Sequence, residues 1–340
     1  MIAWANRWQI PLYLAGMLVG GAIGLAVPGS GAGLDALVTP ALIVLLFATF
    51  LAAPFAELGR AFRDLRFLAA VLVLNFVFVP VLVFGLSRFV THNQALLVGV
   101  LLVLLSPCID YVVVFTRLAG GSASRLLAVS PVLMLAQLAL LPVFLSVMAG
   151  PGVVGSIDMA PFVGAFLLFI VLPVGLAALT QWLGRRVRAA RAVERTMDAS
   201  MVPLLALTLA VIVGAQIDVV RTHVAELLVI APLYVAFLVV APVLGILVAR
   251  MFRQDVAAVR ATVLSGSTRN SLVVLPLALA LPEPMALASA AVVTQTLVEL
   301  VGMIALVRVV PRLVVSRGEN AGLGALPSPR TRRRRYADPQ

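Results

Sequence analysis

The chain consists of long apolar stretches separated by short polar segments, and these stretches set its architecture. Most of them hold about 20 residues with hardly any charge, which is the length of a helix that crosses a bilayer. The pattern predicts ten transmembrane helices and therefore an all-α polytopic membrane protein. The predicted spans are residues 8–28, 33–55, 67–89, 94–118, 124–148, 160–183, 199–219, 226–250, 256–281 and 285–310.

Composition supports this architecture and excludes several function classes. Hydrophobic residues make up 62% and charged residues 11% of the 340 residues, whereas a soluble domain carries about 25% charged residues. The mean hydropathy is +1.13. With Cys108 as the single cysteine, neither an internal disulfide nor a cysteine metal cluster is expected. Neither histidine is expected at membrane depth beside a serine, so we predict no hydrolase, no other enzyme activity and no cofactor.

The arginines indicate how the chain is oriented in the membrane. Every basic residue is an arginine, and with the N-terminus inside the cell, 22 of the 25 fall in internal segments. Arg88 and Arg221 fall in external loops, and Arg269 falls inside a span. The positive-inside rule therefore predicts a multi-pass protein of the plasma (inner) membrane with both termini in the cytoplasm. The same rule explains the net charge of +11 without nucleic-acid binding.

Three charged residues fall inside predicted spans, where an uncompensated charge is costly and each is a candidate functional residue. Asp110 lies in the fourth span, Arg269 in the ninth and Glu299 in the tenth. Pro107 precedes Asp110 and Gly266 precedes Arg269, and both residue types weaken a helix. The fourth and ninth spans are therefore predicted to be broken helices.

The two predicted breaks occupy equivalent positions in two five-helix repeats, at about 8–148 and 160–310. In the stretches LLSPCIDYVVVF and VLSGSTRNSLVV, a serine stands four residues before the charge. Repeats with an odd number of spans are inverted relative to each other, and their broken helices meet at a substrate site near the midplane. We expect residues 1–313 to form this transporter domain and residues 314–340 a disordered basic cytoplasmic tail.

The predicted substrate-binding residues surround the crossing of the two breaks. They are Ser106, Cys108, Asp110, Ser265, Arg269 and Asn270. Asp110 and Arg269 are expected to pair, either at the substrate or only as a device that fixes helix register. Cys108 either faces the cavity or packs as a small hydrophobic residue. Glu299 either joins helices or faces the cavity.

The same residues resemble the bile acid:sodium symporter superfamily over most of residues 8–313. Ten spans with broken fourth and ninth helices carry the resemblance to the superfamily. Within it, the chain is similar to the arsenite efflux permeases in the PC pair of the fourth span, in RLAGG, and in TLVELVGMIALVRV of the tenth span.

The resemblance implies roles for several residues. It implies that Cys108 handles As(III). The sodium ligands of the symporters fall on Val112, Val113, Ser265 and Arg269, so those ligands are replaced. Because hard cations need oxygen ligands, a guanidinium at Arg269 is expected to repel sodium. The glutamate that arsenite permeases carry in the ninth helix is replaced by Leu272.

These observations lead to an expected function and two alternatives. We expect export of arsenite, a small neutral solute at cytoplasmic pH, coupled to protons through Asp110 or Glu299. Glu299 has no obvious partner in the sequence, which favours titration near neutral pH. The first alternative is a transporter of a small organic anion anchored by Arg269. The second is a non-transporting membrane sensor or scaffold.

Overall fold

The computed structural model describes residues 2–26, 30–52, 62–109, 111–150 and 159–315, and helices dominate them. The prediction of an all-α protein is confirmed for this part of the chain, which contains helices and one isolated β-bridge but no β-strand. Two π-helical turns join consecutive α-helices: Leu74–Phe78 follows the helix Leu65–Val73, and Leu167–Val171 follows the helix Met159–Phe166. The helices are α1 (Ile2–Ala26), α2 (Ser30–Ala52), α3 (Leu65–Val73), α4 (Val79–Ser87), α5 (Gln94–Leu104), α6 (Tyr111–Leu118), α7 (Ala123–Ala149), α8 (Met159–Phe166), α9 (Leu172–Gly184), α10 (Arg188–Thr222), α11 (Val224–Met251), α12 (Val256–Ser267), α13 (Ser271–Leu279) and α14 (Leu287–Leu313).

The helices follow the apolar stretches of the sequence. Seven helical segments of the described chain are long and apolar enough to cross a membrane, and shorter apolar helices include α5 and α12. The largest difference from prediction is α10, which begins at Arg188 and not near residue 199. Its first turns read RAARAVERTMDA. A charged sequence can extend a helix beyond the apolar stretch, and an analysis of hydropathy misses such an extension. The predicted tail lies largely outside the described residues.

The helices pack in two groups. Helices α1, α2, α8, α9 and α10 form what we call the glycine-packed group, and α3–α7 with α11–α14 form the crossover group. On α1, Gly16, Gly20 and Gly24 lie against the backbone of α10. A Cβ on Gly20 would stand 1.9 Å from the carbonyl oxygen of Ala210, so only glycine fits there. Small residues of this kind let transmembrane helices approach closely.

The crossover group contains two broken helices whose breaks cross each other. Helix α5 ends at Leu104 before α6 begins at Tyr111, and α12 ends at Ser267 before α13 begins at Ser271. The connecting segments pair as an antiparallel bridge between Pro107 and Arg269. The N–H of Cys108 donates to the carbonyl of Thr268 at 3.2 Å, and the N–H of Asn270 donates to the carbonyl of Ser106 at 2.7 Å. Each segment thereby satisfies backbone groups that the other leaves exposed by breaking its helix.

An exposed charge network anchors the starts of two crossover helices. The Asp64 carboxylate caps α3 by accepting from the N–H of Phe67, and the Asp255 carboxylate caps α12 by accepting from the N–H of Ala258. The Arg125 guanidinium lies 3.5 Å from the Asp64 carboxylate and 2.5 Å from the Asp255 carboxylate. One arginine at the start of α7 therefore joins two helix N-caps.

Candidate functional site

The crossing is built from hydroxyl residues at the ends of the broken helices. The Ser106 hydroxyl donates to the Leu102 carbonyl at 2.8 Å, and the Thr268 hydroxyl donates to the Leu264 carbonyl at 2.8 Å. Such bonds to the preceding turn satisfy the hydroxyls without an external partner. At the start of α13, the Asn270 side chain accepts from the N–H of Val273 at 3.3 Å and caps the helix.

Cys108 lies in the middle of this crossing. The residue is 0% exposed, and its backbone is held by the bond from its N–H to the Thr268 carbonyl. Pro107 immediately before it forms the bridge with Arg269. The single thiol of the chain is therefore placed on extended backbone between two helix ends, on the segment that Pro107 keeps out of α5.

The Arg269 side chain is fully buried and is surrounded by oxygen atoms. One guanidinium nitrogen, Nη2, donates to the Asn75 side-chain oxygen at 2.9 Å and to the carbonyls of Ser265 at 3.0 Å and Gly266 at 2.7 Å. The other, Nη1, donates to the Leu104 carbonyl at 3.3 Å. These four acceptors are neutral oxygens and lie on three helical segments. Arg269 therefore joins the ends of both broken helices to the third apolar stretch.

Asn75 is a site residue that sequence reasoning missed. It lies in the π-helical turn after α3, is 0% exposed, and donates through Nδ2 to the Ser265 hydroxyl at 3.1 Å. π-Helical turns occur frequently at functional sites because they redirect one side chain out of the regular helix. The available signal was a single asparagine in the apolar run VLVLNFVFVP, five residues before Pro80.

Glu299 does have partners, so the expectation of an unpartnered carboxyl group is wrong. Its Oε2 accepts from the backbone N–H of Arg269 at 2.9 Å and from the side-chain amide of Gln295 one turn earlier on α14. Glu299 is 1% exposed. The carboxylate therefore binds the backbone of the second break, which is a donor that appears only because α12 ends before Arg269.

Three buried polar atoms near the start of α13 have no hydrogen-bond partner among the described residues. They are the amide nitrogen Nδ2 of Asn270, the hydroxyl of Ser271 and the amide oxygen Oε1 of Gln295. All three residues are at most 2% exposed. Buried polar groups are normally hydrogen-bonded, so such a set indicates either water or a polar ligand. Ser271 also lines a small cavity against the glycine-packed group, with Thr296 and Met17.

The structure brings together most of the residues predicted from the sequence. Ser106, Cys108, Ser265, Arg269, Asn270 and Glu299 all belong to the crossing or bond to it. Asp110 lies outside the described residues, so its pairing with Arg269 stays a prediction. Gly266 is still helical, and the second break begins two residues later. A Cβ on Gly266 would stand 2.5 Å from Leu74, so this glycine provides space for α12 to pack against the third apolar stretch.

Comparison with protein-family models assigns more than half of the chain to a known family. A family model described as "Sodium Bile acid symporter family" matches residues 39–223, which is more than half of the chain. No curated protein matches the sequence. The matched region includes the first break with Cys108 and ends before α11 begins.

Proposed function

The chain belongs to the sodium bile acid symporter family, whose members are transporters, and we propose that it is a secondary transporter exporting arsenite in exchange for protons. The observation that carries the proposal is the position of Cys108, a buried thiol on the extended segment where two broken helices cross. Interrupted helices that meet inside a transporter form its substrate site. A thiol at that point suits a thiophilic solute.

We further propose that the chain crosses the membrane ten times as two inverted five-helix repeats. The seven long apolar helices and the shorter apolar helices support this count when each broken helix is taken as one span. The antiparallel pairing of the two breaks supports a relation by a twofold axis in the membrane plane. The arginine distribution supports cytoplasmic termini and a plasma-membrane location.

The polar groups at the crossing favour a neutral solute over an anion. The terminal nitrogens Nη1 and Nη2 of Arg269 donate to four neutral oxygens, so a carboxylate that bound there would compete with these acceptors. Asn270, Ser271 and Gln295 offer a donor, a hydroxyl and an acceptor that have no hydrogen-bond partner within the described part of the chain. A small neutral polyhydroxyl molecule such as arsenous acid can both donate and accept at such a set.

A single thiol is suited to transport and not to retention. One sulfur can engage As(III) reversibly, whereas three thiolates would hold it tightly. Cys108 is the only cysteine in the sequence, so no second protein thiol can complete a chelate within one chain.

We propose Glu299 as the proton-coupling carboxylate, with Asp110 as a second candidate. Glu299 accepts from the backbone N–H of Arg269, so protonation of its carboxylate would weaken a bond to the second break. A hydrogen bond to a charged acceptor is stronger than one to a neutral acceptor. Protonation of Glu299 would thereby act on the segment that is hydrogen-bonded to the backbone of Cys108.

Arsenite uptake by everted membrane vesicles tests the proposal. Wild-type vesicles should accumulate arsenite when an outward-directed proton gradient, with an acidic lumen, is imposed across the everted membrane, and Cys108→Ser should reduce accumulation to the level of vesicles without the protein. Ser130→Ala is the matched control, because its buried hydroxyl bonds only to Leu126 within α7. This variant should transport at the parental rate. Arsenite should also slow alkylation of Cys108, the sole thiol.

The outcomes separate the proposal from its alternatives. If wild-type protein in the membrane accumulates no arsenite and arsenite does not protect Cys108, the proposal fails. Transport of a small organic anion that survives Cys108→Ser and is lost in Arg269→Gln would then support the anion transporter. If the wild-type protein transports neither arsenite nor an organic anion, the sensor or scaffold becomes the favoured alternative.

A further inference from the structure

The oxygen atoms around Arg269 form the kind of site that proteins use for a dehydrated monovalent cation. Three of the four acceptors are backbone carbonyls, from Leu104, Ser265 and Gly266, and the fourth is the side-chain oxygen of Asn75. Backbone carbonyls of broken helices coordinate sodium in transporters, and loop carbonyls coordinate potassium in channel filters. None of the four carries a formal charge, so together they suit a single positive charge.

Helix geometry adds to the attraction for a cation at this point. Leu104 is the last residue of α5, and Ser265 and Gly266 lie in the last turn of α12. The guanidinium therefore faces the C-terminal, partially negative ends of both broken helices at once. The Phe237 ring covers it, with the ring centroid 5.3 Å from the guanidinium carbon. The negative face of an aromatic ring also attracts a cation.

We propose that the Arg269 guanidinium is a covalently attached replacement for a bound monovalent cation. The sequence suggested that this arginine stands where a cation ligand would be. The contacts instead place its guanidinium in the position of the cation itself, because four oxygen acceptors and a ring face surround it. The positive charge at the crossing is therefore always present, because it belongs to the Arg269 side chain. If the proposed transport function holds, its cycle requires no sodium at this position.

Removal of the side chain should convert the self-occupied site into a site for a free ion. Arg269→Ala keeps the carbonyls of Leu104, Ser265 and Gly266 and the side chain of Asn75, but leaves the space of the guanidinium unfilled. Sodium or guanidinium ion can then occupy it. Because binding to the folded state stabilises a protein in proportion to the logarithm of ligand concentration, the melting temperature reports such binding.

Thermal unfolding of the detergent-purified full-length protein in chloride salts of choline, sodium and guanidinium, at equal low millimolar concentration, tests the proposal. Arg269→Ala should melt below the wild type in choline, and sodium or guanidinium should raise its melting temperature saturably. Arg88→Ala is the matched control. Arg88 also covers a ring, that of Phe84, and donates to the Met148 carbonyl, but these contacts are at an exposed site. Arg88→Ala should show the same melting temperature in all three salts.

Two further measurements keep the proposal testable if Arg269→Ala does not fold. Arg269→Gln retains a polar side chain and should gain stabilisation by sodium over choline. The wild type should melt at the same temperature in sodium and choline. Saturable stabilisation of the wild type by sodium would overturn the proposal, as would an Arg269→Gln variant that responds to no cation. These readouts are independent of arsenite, so failure of the proposed substrate would leave this inference standing.

Discussion

The glycine-packed group and the crossover group use different means to hold helices together. Of the buried polar or charged side chains in the described residues, the glycine-packed group holds only Thr49, Thr208 and Gln216. All others lie in the crossover group or its connections. The first group gains cohesion mainly from backbones in close contact, whereas the second has such contacts at Gly99 and Gly245 and adds hydrogen bonds among buried polar groups. Because buried polar groups are costly without partners, their concentration identifies where the chemistry lies.

The largest effect is expected where the glycine-packed group is closest packed. Gly20→Ala would place a methyl group 1.9 Å from the Ala210 carbonyl oxygen, so α1 must move away from α10. We expect a loss of about 3 kcal/mol in the free energy of unfolding, since overpacking that shifts a backbone is costly. The matched control is Gly175→Ala in α9, where an added Cβ meets no atom within 4 Å.

Thermal or denaturant unfolding of the purified variants measures this difference. Gly175→Ala should be neutral or slightly stabilising, because alanine favours a helix over glycine by about 1 kcal/mol. Equal melting temperatures for the two variants would show that α1 and α10 are not held by close backbone contact.

The contrast between the two groups also shows which features could be predicted from the sequence. The breaks at Pro107 and before Arg269 were predictable, because a proline or a charge inside an apolar run has few structural explanations. Asn75 was not predictable as a site residue, because one asparagine can face any side of its helix. The partner of Glu299 is a backbone N–H 30 residues earlier, which the sequence does not display as a donor. Such contacts depend on tertiary packing and not on local pattern.

A smaller effect is expected at a side-chain hydrogen bond that joins the two groups. The Ser289 hydroxyl on α14 donates to the Gln216 side-chain oxygen on α10 at 2.9 Å. Ser289→Ala removes the donor and leaves the Gln216 oxygen buried, so we expect a loss of about 1 kcal/mol in stability. Ser130→Ala, which removes a bond within one helix, should cost less.

A double-mutant cycle with Gln216→Leu measures the coupling between the two residues. We expect a coupling energy of about 0.6 kcal/mol, the average for side-chain hydrogen bonds between helices in membranes. Strictly additive effects would mean that this bond does not connect the two groups energetically.

The smallest effect is expected at the exposed network that starts α12. Partial burial raises the pKa of Asp255, but the N–H of Ala258 and the Arg125 guanidinium outweigh it, so the pKa lies below its ordinary value of 3.8. A carboxyl group with a lowered pKa stabilises the fold above its unfolded pKa, and this stabilisation is lost as the pH falls through the folded pKa. Asp255→Asn removes the charge but keeps an oxygen that can cap α12.

The wild type should therefore be more stable than Asp255→Asn at neutral pH by about 0.5 kcal/mol or less, because solvent screens an exposed pair. The difference should shrink as the pH falls below 3.8 and vanish below the lower folded pKa, where the carboxyl group of the folded wild type becomes protonated. Melting temperatures of both proteins across this range measure it. A difference that persists in acid would assign the role of Asp255 to capping geometry, and Arg125 would then contribute no charge pairing to the crossover group.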